Sequence, residues 1–144
     1  DDSLGPAGIR VQDLRRKFDY FQNDLVGIVL DPVGDGRNSV SFQVTPYGAQ
    51  RELEVYDGDR YNREWETVWR VRTRRGPRGW TAEVAIPWSS LRCRAGATTW
   101  GLNVVRGARR FNEFSGWSPW PRNLTVYRMD FAGRLDGLAP PPPR

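Results

Sequence analysis

The chain has 144 residues, 38% hydrophobic and 12% aromatic, with 22 Lys and Arg against 17 Asp and Glu for a net charge of +5. That length fits one domain with a core of its own. The lack of histidine excludes Ser–His–Asp and Cys–His catalysis and histidine-rich zinc sites, the lone Cys93 excludes an intrachain disulfide, and no window approaches the ~20 apolar residues of a membrane-spanning helix.

DDSLGPAG at the head is acidic and polar and does not read as a signal peptide, so an exported chain is expected to have shed one already. Leu14, Phe18 and Phe21 fall at i, i+4 and i+7, which predicts a short amphipathic helix over Asp13–Gln22. The period then changes. Leu25–Asp31 is a continuous apolar run of strand length, the pattern of a central strand. Gly34 to Asn38 supply a turn. Val40, Phe42 and Val44 alternate with Ser41, Gln43 and Thr45, which predicts a half-buried strand. Pro46-Tyr47-Gly48 turns the chain into a strand where Leu53 and Val55 alternate with Glu52 and Glu54.

Asp57-Gly58-Asp59 opens a polar loop that contains Trp65. Trp69, Val71 and Thr73 alternate with Arg70, Arg72 and Arg74; Gly76-Pro77-Arg78-Gly79 is a hairpin signal; Trp80, Ala82, Val84 and Ile86 alternate with Thr81, Glu83 and Ala85. Pro87 ends that strand because it cannot donate to the ladder, and Trp88 to Leu91 read as one helical turn. Trp100, Leu102 and Val104 then point one way, Gly101 and Asn103 the other. A polar and aromatic loop covers 107–123, 124–135 makes the last strand or two, and Pro140 to Pro143 form a polyproline II tail.

Short strands at regular spacing, with no helical segment of 10–15 residues between them, predict an all-β fold. The expected architecture is an antiparallel β-sandwich, a two-sheet fold of jelly-roll or immunoglobulin type with short helical turns only. A single domain spans 1–138, with the Pro-rich tail at 139–144. Sandwich edges must be hidden, and the N-terminal helix and the 107–123 loop are the candidates to hide them.

Several motifs occur in order: Gly79-Trp80-Thr81-Ala82-Glu83, Ile86-Pro87 with Leu91-Arg92, Trp100-Gly101 with Asn103, Arg109-Arg110, Asn112-Glu113, and Trp117-Ser118 with Pro121-Arg122. With these, residues 18–138 resemble the carbohydrate-binding family 9-like domain found at the N-terminal end of bacterial outer-membrane β-barrel proteins. The resemblance implies a β-sandwich that binds or docks and does no chemistry. Two strands that usually precede the position of Phe21, and the barrel that usually follows, have no counterpart here. The resemblance therefore implies a free-standing or processed form of the module. Relatives hold a sugar between two tryptophans, but those positions do not map onto particular residues of this chain.

Of the seven tryptophans, Trp69, Trp80 and Trp100 lie in alternating strands and are expected in the core. Trp65, Trp88, Trp117 and Trp120 sit in or beside loops, where aromatic faces either cap the sandwich or stack on a ligand or partner. With Arg109, Arg110 and Arg122 they are the candidate ligand- or partner-binding residues. Asp31, Asp35 and Asn38, with Asp24 nearby, are candidate calcium ligands, although Asp-Gly and Arg-Asn are also plain turn residues; no other cofactor is expected. Asp57 and Asp59 carry the same two readings.

Positive charge is carried almost wholly by arginine, Lys17 being the lone lysine. GC-rich coding explains this as well as an anionic partner does, whether acidic glycan, lipid head group, nucleic acid or acidic protein face. Arg70, Arg72, Arg74, Arg75 and Arg78 form one stripe, and Arg106, Arg109 and Arg110 a second cluster; a solvated face paired with Glu83 and Glu54 accounts for the stripe. No nucleic-acid motif is present. Glu83 and Glu113 are not placed across a cleft by anything in the sequence, so the chain is not expected to be an enzyme. Arg92 and Arg94 flank Cys93 and would favour its thiolate, while a buried structural thiol needs no such role.

Two functions follow. One is a glycan-binding module outside the cytoplasm, periplasmic or associated with a bacterial outer membrane. The other is an accessory subunit that docks on the periplasmic face of a membrane-protein complex, with anionic lipid head groups as further contacts and no sugar ligand.

Overall fold

The computed structural model describes residues 9–11, 14–20, 22–109, 113–121 and 124–141. The apolar run β1 (Leu25–Asp31) pairs antiparallel with β2 (Ser39–Val44) on one side and β7 (Trp100–Ala108) on the other, the central position its pattern predicts. β3 (Gln50–Tyr56) and β4 (Arg60–Asn62) extend the sheet beyond β2, while β8 (Glu113–Gly116) and β9 (Gly133–Leu135) share the far edge of β7. The second layer is the hairpin of β5 (Arg70–Gly76) and β6 (Gly79–Ala85), closed at Gly76 and Gly79 by the turn the sequence announces. The architecture is the expected all-β, antiparallel two-sheet arrangement. Helical structure among the described residues is confined to short 3-10 turns, including the expected one at Trp88–Ser90 and another at Met129–Phe131.

Register sorts the large sheet into two faces. Val26, Ile28 and Leu30 stand opposite Val44, Phe42 and Val40. This face meets the hairpin, where Leu30, Phe42, Trp69 and Trp100 form a buried cluster with Val71, Val84 and Ile86 against it. The other face carries Leu25, Val29 and Val105, packed with Phe18, Val126 and Met129. Covering both faces buries side chains that alternation alone assigns to solvent. Ser41, Gln43 and Thr45 are fully buried, so β2 is not half-buried as its pattern predicts. Gln43 gives its amide hydrogens to Ser41 Oγ (3.1 Å) and Tyr127 Oη (3.1 Å) and accepts from Arg51 (3.2 Å), so burying it is not penalised.

Other local expectations are corrected. Described residues 14–20 form bends and a turn rather than the Asp13–Gln22 helix, with Lys17 in the left-handed region at φ 61; Asp13 and Phe21 lie outside the described residues. The segment still covers an edge. Lys17 N donates to Gln50 O (2.9 Å) and Lys17 Nζ to Glu52 O (2.5 Å), along the part of β3 that β4 leaves open. Asp57 and Gly58, at φ 53 and 79, are the centre of a tight turn in which Asp59 N donates to Tyr56 O (3.3 Å), and three residues join β3 to β4 where a loop was expected. β8 interrupts the 107–123 loop, and within 124–135 only Gly133–Leu135 is strand.

Candidate functional site

The two layers part at one end, leaving a cavity of about 410 Å³. Five stretches line it: the turn after β1 (Pro32, Val33, Asn38), the start of β2 (Val40), the end of β3 (Glu54, Tyr56), the crossing segment (Trp65, Thr67) and the 3-10 turn with its exit (Ser89 to Arg92). Val40 and Glu54 are paired in register and share the face that meets the hairpin. Ser39 and Val55 also border the cavity, but their pairing puts both side chains on the opposite face.

Each wall is anchored. Trp65 packs edge-to-face on Phe42 with ring centroids 6.0 Å apart, and its carbonyl accepts from Lys17 Nζ at 2.7 Å. Ser90 Oγ donates to Val68 O at 2.6 Å, tying the 3-10 turn to the strand entry. Tyr56 Oη donates to Glu54 Oε2 at 2.8 Å, and that carboxylate raises the Tyr56 pKa. Tyr56 is 43% exposed, so its ring stands at the mouth. The cavity thus offers aromatic surface (Trp65, Tyr56), a carboxylate acceptor (Glu54), a guanidinium donor (Arg92) and small hydroxyls. Such a set can stack on the face of a ring and exchange hydrogen bonds with polar groups on its rim.

Of the residues singled out from the sequence, Trp65 and Asn38 reach this cavity. Trp88 stands edge-to-face on Trp100 at 5.5 Å and borders a separate hollow of about 180 Å³ with Cys93, Pro140 and Pro141. Trp117 is 59% exposed and lies over Gly133, where a Cβ would clash with its ring. Trp120 covers Gly116 and packs on the cluster of Phe18 and Leu25. Arg109 N donates to Asp24 Oδ1 at 2.6 Å, whose Oδ2 accepts from Arg10 N at 3.0 Å. Arg110 and Arg122 lie outside the described residues. Sequence reading missed Glu54, Tyr56 and Arg92 as site residues, because Glu54 reads as a partner for the arginine stripe.

At the proposed calcium turn, Asp31 is buried and its two oxygens accept from Gly34 N (2.7 Å) and Gly36 N (2.8 Å). Asp35 accepts from Arg37 N and Asn38 N at 2.9 Å each and from Asn38 Nδ2 at 2.7 Å. These carboxylates organise the turn. Among the described residues no three His, Cys, Asp or Glu converge on a common point. Burial of Asp35 opposes ionisation, but the amides of Asn38 and Arg37 outweigh it and hold the carboxyl below its usual range. A depressed folded pKa stabilises the turn above the usual carboxylate range, and the contribution is lost as pH falls through the folded value. Thermal melts should therefore show Asp35→Asn less stable than the parent at neutral pH, with the gap narrowing as pH falls below the usual carboxylate range. At Cys93 burial pushes the thiol pKa up, opposite to the effect expected of the neighbouring guanidiniums.

Neither a protein-family model nor a curated protein matches the sequence. A solved structure does: that of a "putative carbohydrate-binding protein" from Bacteroides uniformis superposes with a TM-score of 0.73 over 89% of this chain and 67% of that one, at 16% identity. What the two proteins share at that identity is the β-sandwich architecture.

Proposed function

We propose that the chain is a non-catalytic carbohydrate-binding module, acting outside the cytoplasm in the periplasm or at a bacterial outer membrane, with its sugar held in the cavity between the layers. The observation that carries this reading is the meeting of Trp65, Tyr56, Glu54 and Arg92 around one cavity of about 410 Å³ on a carbohydrate-binding-like fold. The aromatic rings supply stacking faces, Glu54 accepts from sugar hydroxyls and Arg92 donates to them. A glycoside hydrolase needs two flanking carboxyl groups, whereas Glu54 is the one carboxylate on this lining among the described residues.

A glycan array followed by titration calorimetry tests the reading. The parent should bind a subset of oligosaccharides with Kd between about 1 μM and 1 mM. Trp65→Ala should weaken binding about tenfold or more, and Glu54→Gln should weaken it while keeping the fold. Absence of binding across the array contradicts the proposal. The alternative, an accessory subunit docked on a membrane-protein complex, draws on the exposure of Trp117, which would centre such a contact. Under that reading Trp117→Ala releases the chain from its native complex and no sugar binds.

A further inference from the structure

The outward face of the β5–β6 hairpin carries Arg70, Arg72 and Arg74, all exposed, and Arg78 stands exposed in its turn. None of these four guanidiniums makes a hydrogen bond or ion pair among the described residues, although Arg72 stands opposite Glu83 in register. They differ from Arg75, whose guanidinium stacks 4.2 Å over Tyr47 and donates to Pro46 O at 2.9 Å. At the tip a hollow of about 290 Å³ is lined by Arg74, Pro77, Arg78, Trp80 and Thr81 together with the two hairpin glycines. Trp80, expected in the core, is half-buried and joins neither core cluster. Register puts Trp80 beside Arg75, on the face opposite Arg70, Arg72 and Arg74.

We propose that this face and its tip form a second binding surface, for an acidic polysaccharide, separate from the cavity between the layers. Four unpaired guanidiniums offer planar forks that bind carboxylates bidentately. Thr81 and Glu83 lie on the same face as the three strand arginines and exchange hydrogen bonds with hydroxyls. Glu83 also decides between anionic partners. A carboxylate in the middle of the stripe repels a dense run of phosphates, yet accepts from the hydroxyls of a polymer that alternates hydroxyl and carboxylate groups. The surface shares no lining residue with the cavity, so it stands or falls independently of the sugar placed there.

The test is binding of the full chain to polygalacturonate, with neutral dextran, single-stranded DNA and anionic phosphatidylglycerol vesicles as comparisons. The parent should bind polygalacturonate well above dextran, and less tightly as salt rises. The double variant Arg72→Gln/Arg74→Gln should lose at least tenfold in affinity, and Arg78→Gln severalfold, with unchanged far-ultraviolet circular dichroism. Trp65→Ala should leave this binding intact. The proposal is overturned by no binding to polygalacturonate, by equal or tighter binding to DNA or vesicles, or by binding that ignores the hairpin variants.

Discussion

Replacing Phe42 by alanine is expected to cost about 3–5 kcal/mol of folding stability, measured by urea unfolding. Phe42 is fully buried on the face of β2 that meets the hairpin. Its ring meets Trp69 edge-to-face at 5.2 Å and Trp65 at 6.0 Å, so one truncation opens a large void and breaks two aromatic contacts. Such contacts contribute about 0.5–1.5 kcal/mol each beyond burial. The second layer is only two strands, which have little stability by themselves and depend on this seam. Sugar binding should fall with stability, because Trp65 loses the ring behind it. A loss below about 1 kcal/mol would mean that the seam is not packed as described.

Glu52→Ala should be nearly as damaging, at about 2–4 kcal/mol. The carboxylate is wholly buried and holds together pieces that are distant in sequence. It pairs with Arg16, lies 4.0 Å from Lys17 Nζ, and accepts from Trp69 Nε1 (3.3 Å) and Thr67 N (3.4 Å). The side chains of Arg16 and Lys17 are 40% and 24% exposed and return partly to water when the carboxylate goes, which limits the loss. The buried Trp69 indole cannot do so and is left without an acceptor. Glu52→Gln keeps an acceptor for that indole and should recover part of the loss. Limited proteolysis should cut Glu52→Ala faster after Arg15, Arg16 or Lys17, since the N-terminal segment then leaves the edge of β3. Equal melting temperatures and equal cleavage rates for parent and Glu52→Ala would refute this role.

The strands were legible because period-two alternation and turn residues are local signals. The Leu25–Asp31 run, the Gly76–Gly79 turn and the stop at Pro87 all land where chemistry puts them. What alternation cannot reveal is which faces acquire a cover. Glu52 and Gln43 read as solvent-facing, and are buried because Arg16 and Tyr127, 36 and 84 residues away in the chain, close over them. Trp80 misleads in the opposite sense: its position in the pattern is that of a core residue, but nothing from either core cluster reaches the hairpin tip. Asp57-Gly58 did carry a local signal for a tight hairpin turn. The cavity was only partly legible. Trp65 stands out as a loop aromatic, whereas Glu54, Tyr56 and Arg92 become neighbours only once separate stretches converge.

The most direct measurement is a two-dimensional amide spectrum recorded while a sugar from the array is titrated in. A sugar held between the layers predicts shift changes concentrated at 38–40, 54–56, 65–67 and 89–92, with the Trp65 indole among the largest, and quiet amides at 114–120. Changes centred on Trp117 and its neighbours, or an unchanged spectrum at saturating sugar, would contradict that placement.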